Sequence, residues 1–164
     1  MIHYFVITKT LHAVQPLDEL ITSKAEIVSK DIGGNKEDIQ WIIGGFYRPF
    51  TIILERFSVL FNENPDRIQL LLNIEHDPYV VVFTKDAGSE PFMQDLTLAV
   101  ADAFDGFIDF DGDIVSQIYP TRPVDEEGKE QEEKGKEYLG IEDFLKLVDF
   151  DKNRREYQAF VNSR

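Results

Sequence analysis

The sequence predicts an α+β domain, a mixed β-sheet with helices packed mainly on one face. Three observations carry that expectation. Runs rich in β-branched and aromatic residues recur at 3–8, 38–43, 50–54 and 79–83. Between them lie stretches whose apolar residues return every three or four positions, the spacing of one helical face. The two kinds of segment interleave along a chain of 164 residues, the size of one domain that can bury roughly 70% of its unfolded surface.

The opening run His3-Tyr4-Phe5-Val6-Ile7-Thr8 reads as a strand. Pro16 stands where a helix can begin, and Leu17, Leu20, Ile21, Ala25 and Val28 share one face, with Gly33-Gly34 as its stop. Ile39, Trp41 and Ile43 fall on one side of an alternating run, as do Phe50, Ile52 and Leu54, so two strands are expected around Gly44-Gly45 and Arg48-Pro49. Asn64-Pro65 is a cap followed by a first-turn proline, with Ile68, Leu71 and Leu72 as the buried stripe. Pro78 closes that helix, and Tyr79-Val80-Val81-Val82-Phe83 suits a central strand covered on both faces. Ser89 is placed to cap a helix bearing Phe92, Leu96, Ala99, Val100 and Ala103. After Gly106 come short strand-like pieces at Phe107, Ile108 and Phe110 and at Ile114 and Val115. From Pro123 to Lys136 there is little to bury. The expected division is a core over 1–118, an acidic flexible loop over 119–137 and C-terminal helices over 138–164 packing on the same core. In that last part Ile141, Phe144, Leu145 and Val148 face one way, and Asp151 stands as the cap for a helix with Tyr157, Phe160 and Val161.

Composition narrows the function classes. Cysteine is absent, so disulfides and thiolate zinc sites are excluded, and a cytoplasmic setting is the expectation. No apolar run approaches the roughly 18 residues that a membrane helix needs. The net charge of −14 disfavours nucleic acid, whose phosphates are held by displacing counter-ions with Lys and Arg, and disfavours an anionic membrane. A basic protein partner would be attracted.

The charge is uneven. Residues 1–82 hold 11 acids and 7 bases, whereas 83–164 hold 20 and 10. Between Asp86 and Thr121 there are eight acids and no Lys or Arg. Asp102, Asp105, Asp109, Asp111 and Asp113 crowd the end of one helix and the following strands, and alternation puts the last three on one face of an extended chain. Like charges without local bases repel, so these five are candidate partner-binding residues, with a solvated strand face as the plain structural alternative. A metal is the other possible counter-charge. A calcium loop starting at Asp109 meets its glycine at position 4 and Pro120 at position 12; one starting at Asp149 has Arg154 and Phe160 where glycine and glutamate belong. No metal or other cofactor is therefore expected.

Catalytic motifs find no support. The histidines His3, His12 and His76 adjoin no plausible nucleophile in sequence, and no phosphate-cradling loop, nucleophile elbow or His-Glu-x-x-His is present. Trp41, Phe46, Tyr47 and Phe50 cluster around a Gly-Gly turn with Arg48 between them, the residue types that anchor interfaces. Trp41 and Tyr47 join the candidate partner-binding set, although core filling explains the same cluster.

Across residues 79–115, the buried strand, the helix ending at 96–104 and Gly106-Phe107-Ile108-Asp109-Phe110-Asp111-Gly112 resemble small bacterial domains, some of them immunity proteins of polymorphic toxin systems. The resemblance implies a compact acidic antidote that binds a toxin and has no active site of its own. The leading expectation is thus a non-catalytic protein that neutralises a basic toxin. The alternatives are a metal-dependent enzyme using the 102–113 carboxylates and a subunit that self-associates through the Trp41 hairpin.

Overall fold

In the computed structural model residues 2–32, 39–44, 49–86, 91–109 and 141–164 are described. In chain order they form β1 (Ile2–Thr8), α1 (Val14–Lys24), β2 (Ile27–Ile32), β3 (Ile39–Ile43), β4 (Phe50–Arg56), α2 (Phe57–Leu60), α3 (Pro65–Leu72), β5 (Tyr79–Lys85), α4 (Pro91–Ala103), β6 (Gly106–Asp109), α5 (Ile141–Leu147) and α6 (Phe150–Asn162). The fold is α+β, built on a six-stranded sheet of order β2-β3-β4-β5-β1-β6.

Every neighbouring pair in that sheet is antiparallel, where a mixed sheet was expected. The strand–helix–strand unit β5–α4–β6 does bring back a strand running the same way, but β1 lies between the two and opposes both. Within β1, Tyr4 and Val6 face one side and Phe5 and Ile7 the other; in β5, Tyr79, Val81 and Phe83 alternate likewise with Val80 and Val82. The apolar run at 79–83 is thus buried on both faces, as its composition implies.

Helices cover both faces rather than mainly one. The larger core joins Trp41, Ile52, Leu54 and Phe83 to Leu17 and Ile21 of α1, Met93, Leu96 and Val100 of α4, and Tyr157 and Val161 of α6. The second joins Ile7, Val80, Val82 and Phe107 to Phe57 of α2, Ile68 and Leu72 of α3, and Phe144 and Leu145 of α5. Phe150, at the start of α6, belongs to the second core and Tyr157 to the first, so this helix crosses the β6 edge from one face to the other.

Local chemistry fixes most element ends. The Asn64 side chain accepts the Asp66 N–H at 2.9 Å, Pro65 opens α3, and Asn73 closes it at φ 54°. Two expectations are corrected. The helix expected to run on to Gly33 stops at Lys24, and β2 follows it. Ala25 fits either period, and the β-branched Ile27 and Ile32 find antiparallel partners in Ile43 and Ile39. Asp149, not Asp151, caps α6, by accepting the Lys152 N–H at 3.0 Å, which lowers its carboxyl pKa. The expected cap at Ser89, the strand at Ile114 and Val115 and the loop over 119–137 lie outside the described residues.

Candidate functional site

The aspartates singled out in the sequence separate in space. Asp102 ends the exposed face of α4, and Asp105 follows in the turn to β6 with a left-handed φ of 48°, which a short polar side chain tolerates. Both meet Arg154 of α6. Its Nη1 lies 2.8 Å from Asp105 Oδ1, its Nε 3.9 Å from Asp102 Oδ1, and its Nη2 also holds Asp151. Nη1 further donates to the Gly106 carbonyl at 2.9 Å. The Arg154 side chain is only 17% exposed. Asp102 and Asp105 therefore have a counter-ion from within the chain, supplied from about fifty residues away in sequence, where the local run had suggested none.

Asp109 is 4% exposed and stands opposite Phe5 on β1, inside the sheet rather than on a solvated strand face. Trp41 has no exposed surface. Its Nε1 donates to Asp18 Oδ1 at 2.9 Å, and Lys30 Nζ lies 3.0 Å from the same oxygen. As placed, Trp41 ties β3 to α1 and offers nothing to a partner. Burial pushes the Asp18 carboxyl pKa up, but the Trp41 and Lys30 hydrogen bonds and the Lys30 charge outweigh it and leave the pKa below its usual value. Asp111, Asp113 and Tyr47 lie outside the described residues.

Next to the aspartates, α6 closes the β6 edge. Asn153 Oδ1 accepts the Ile108 N–H at 2.7 Å, and its Nδ2 donates to the Ile108 carbonyl at 2.9 Å. Among the described residues, one carboxamide thus takes the place of a further strand at the β6 edge.

A different surface shows features that sequence reading passed over. On the second face of the sheet α3 touches both α2 and α5. Each of these helices leaves one large apolar side chain in solvent: Val59 at 70%, Leu70 at 80% and Leu147 at 73% exposure. Leu147 also borders an open groove of about 480 Å³ between α5, α6 and β6. Phe107, Phe144 and Val148 line its apolar side, and Asp149, Lys152 and Glu156 its charged rim. Residues 57–75 and 141–149 together hold six acids and two bases. The signal was legible at Leu70, which falls off the Ile68 and Leu72 stripe of its own helix.

A polar cluster gathers where β4 ends and β5 begins. Ser58 Oγ donates to Asp77 Oδ2 at 2.5 Å, the Ser58 N–H reaches Asp77 Oδ1 at 3.3 Å, and Arg56 Nη1 donates to the Asp77 carbonyl at 2.7 Å while its guanidinium lies over Tyr79. His76 and His12 meet beside it with ring centroids 4.2 Å apart and planes tilted by 59°. A hydroxyl, a carboxylate and imidazoles are all present, but the hydroxyl bonds the carboxylate directly. No imidazole stands between them to take its proton, as a nucleophilic relay requires. Among the described residues no three His, Asp or Glu side chains group as metal ligands. No described helix is long and apolar enough to cross a membrane. Comparison with known proteins finds no matching family model, no matching curated protein and no matching solved structure.

Proposed function

We propose that this chain is a non-catalytic binding protein of the immunity type, which neutralises a basic toxin by occupying it. The observation that carries the reading is the set of three large apolar side chains, 70–80% exposed, on touching helices of a strongly acidic protein. Single exposed apolar residues are ordinary; several on one helical layer beside a groove are what an interface core needs. The acid excess of that layer would speed encounter with a basic surface, while Val59, Leu70 and Leu147 would supply contact that persists at high salt. This moves the proposed binding face from the aspartate string to the layer formed by α2, α3 and α5.

The test is co-expression with any toxin module found encoded beside its gene, read as protection of growth, together with the affinity of the purified pair. Protection and a stable complex are expected. The double change Leu70→Asp and Leu147→Asp should leave the circular dichroism spectrum intact and weaken affinity at least tenfold, since both side chains are mostly in solvent already. Unchanged affinity would remove this face from the proposal. Absence of both protection and complex would remove the antidote reading itself.

A further inference from the structure

His12 lies in the β1–α1 connection and His76 in the α3–β5 connection; their rings meet with centroids 4.2 Å apart, tilted by 59°, and the Leu11 backbone also hydrogen-bonds His76. The His76 Nε2 is buried and has no hydrogen-bond partner among the described residues. An imidazole nitrogen in that position tolerates a lone pair better than an added proton, because a buried N–H without an acceptor carries its full desolvation cost. The charged or titratable groups that face it are His12 from the β1–α1 connection, Arg56 from β4 and Asp77 from its own connection. Two of the three oppose a second positive charge. The third, Asp77, is committed to the Ser58 hydroxyl and N–H.

The pair borders the start of α1, between the fully buried Leu11 and the helix itself. Ala13 is the N-cap of that helix and provides no side-chain hydrogen bond, and the first turn has no acidic residue. His12 immediately precedes it. A proton on His76, whose ring lies 4.2 Å from that of His12, would set a cation near the positive end of the helix dipole, where anions are favoured. The surrounding anchors would remain, because Lys9 and Thr10 both donate to the Phe104 carbonyl at 3.1 Å and Asp77 is held by Ser58 and Arg56. Release would therefore be local, confined to the step from His12 into α1.

We propose that the contacting His12–His76 pair is an acid-sensitive fastener: with both rings neutral it docks the start of α1 on the α3–β5 connection, and a proton on His76 frees it. Burial first, then the His12 and Arg56 charges, lower the His76 pKa against the pull of the Leu11 backbone and Asp77. The sign follows. The folded value lies below the unfolded one, about 6.5, so the stabilisation is complete above that pH and is lost as pH falls through the folded value.

NMR titration of the full chain follows both rings and the first turn of α1 from pH 8 to 5. Urea unfolding over the same range compares it with His76→Phe, which keeps a ring and takes no proton. Expected are a His76 midpoint below that of free histidine, α1 resonances moving with it, and a wild-type folding constant that falls by up to about tenfold per pH unit, the limit for one proton. The fall should be at least halved in His76→Phe, or in His12→Phe if the first variant does not fold. Parallel stability curves for wild type and variant would overturn the proposal. So would two rings titrating as free histidine with α1 unmoved.

Discussion

Replacing Gly106 by alanine tests how closely α4 lies on the sheet. Gly106 opens β6 directly after the turn from α4 and pairs with Thr8 of β1. A Cβ there would stand 2.7 Å from Val6 Cγ1, 3.0 Å from the Cα of Ala101 and 3.4 Å from its Cβ. The first contact is with a β-branched side chain that has no exposed surface, and the second is with helix backbone, which cannot rotate away. Overpacking a tight core costs about 1–3 kcal/mol, and a backbone clash places this substitution in the upper half, at about 2–3 kcal/mol. A domain with roughly 5–15 kcal/mol of stability survives that, so urea unfolding can measure it. Val6→Ala removes the nearer obstacle at its own cost of about 2 kcal/mol for a buried valine. Because the second change makes room for the first, the double variant should be less destabilised than the sum by about 1 kcal/mol. A Gly106→Ala protein within 0.5 kcal/mol of wild type would refute this account of the α4–sheet contact, and so would a strictly additive cycle.

Two further predictions concern the internal ion pairs. Arg154→Met keeps the aliphatic stem and removes the fork that holds Asp105, Asp102, Asp151 and the Gly106 carbonyl. A loss of about 1.5–2.5 kcal/mol is expected, below the value for a dry pair because Asp105 is 43% exposed, and 1 M NaCl in the urea titration should shrink it. Arg154→Lys should recover little of it, since one ammonium cannot reach four acceptors. Asp18→Asn should destabilise at neutral pH. Asp18 has a folded pKa below its unfolded value of about 3.9, so its contribution is complete above that pH and vanishes as pH falls through the folded value. Stability curves of variant and wild type should therefore converge in acid and part above pH 4.

Elements whose side chains obey one period were legible from sequence. Ile39, Trp41 and Ile43, like Phe50, Ile52 and Leu54, recur at every second position and are strands with that face buried. Asn64-Pro65 gave the start of α3 because cap and proline act through adjacent backbone alone. β2 was not legible, since a run after α1 that suits either period is decided by whether a strand edge awaits it, and that edge, β3, comes later in the chain. α2 was missed for a related reason. Its single turn follows β4 without a break, and Phe57 is held by the second core and by its N–H bond to the Pro78 carbonyl at 2.7 Å rather than by any local stop signal.

The candidate site was less legible, because charge partners do not respect sequence distance. Within the run of acids without a base, Asp102 and Asp105 look unbalanced only along the chain; α6 crosses the β6 edge and lays Arg154 on both from about fifty residues further along. The pairing is a consequence of the edge itself. β6 is short and terminal in the sheet, so the outward N–H and carbonyl of Ile108 and the carbonyl of Gly106 need partners, and Asn153 and Arg154 supply them from successive positions of one helix. Once α6 is fixed there by backbone demand, its arginine meets the nearby carboxylates. The cation in Asn153-Arg154-Arg155 thus first serves the fold, which is why an excess of acid in the sequence is a poor guide to where a partner sits. Among the described residues, apolar side chains left in solvent, as at Val59, Leu70 and Leu147, have no such internal claim upon them, and that difference is why the proposed binding face is the helical layer.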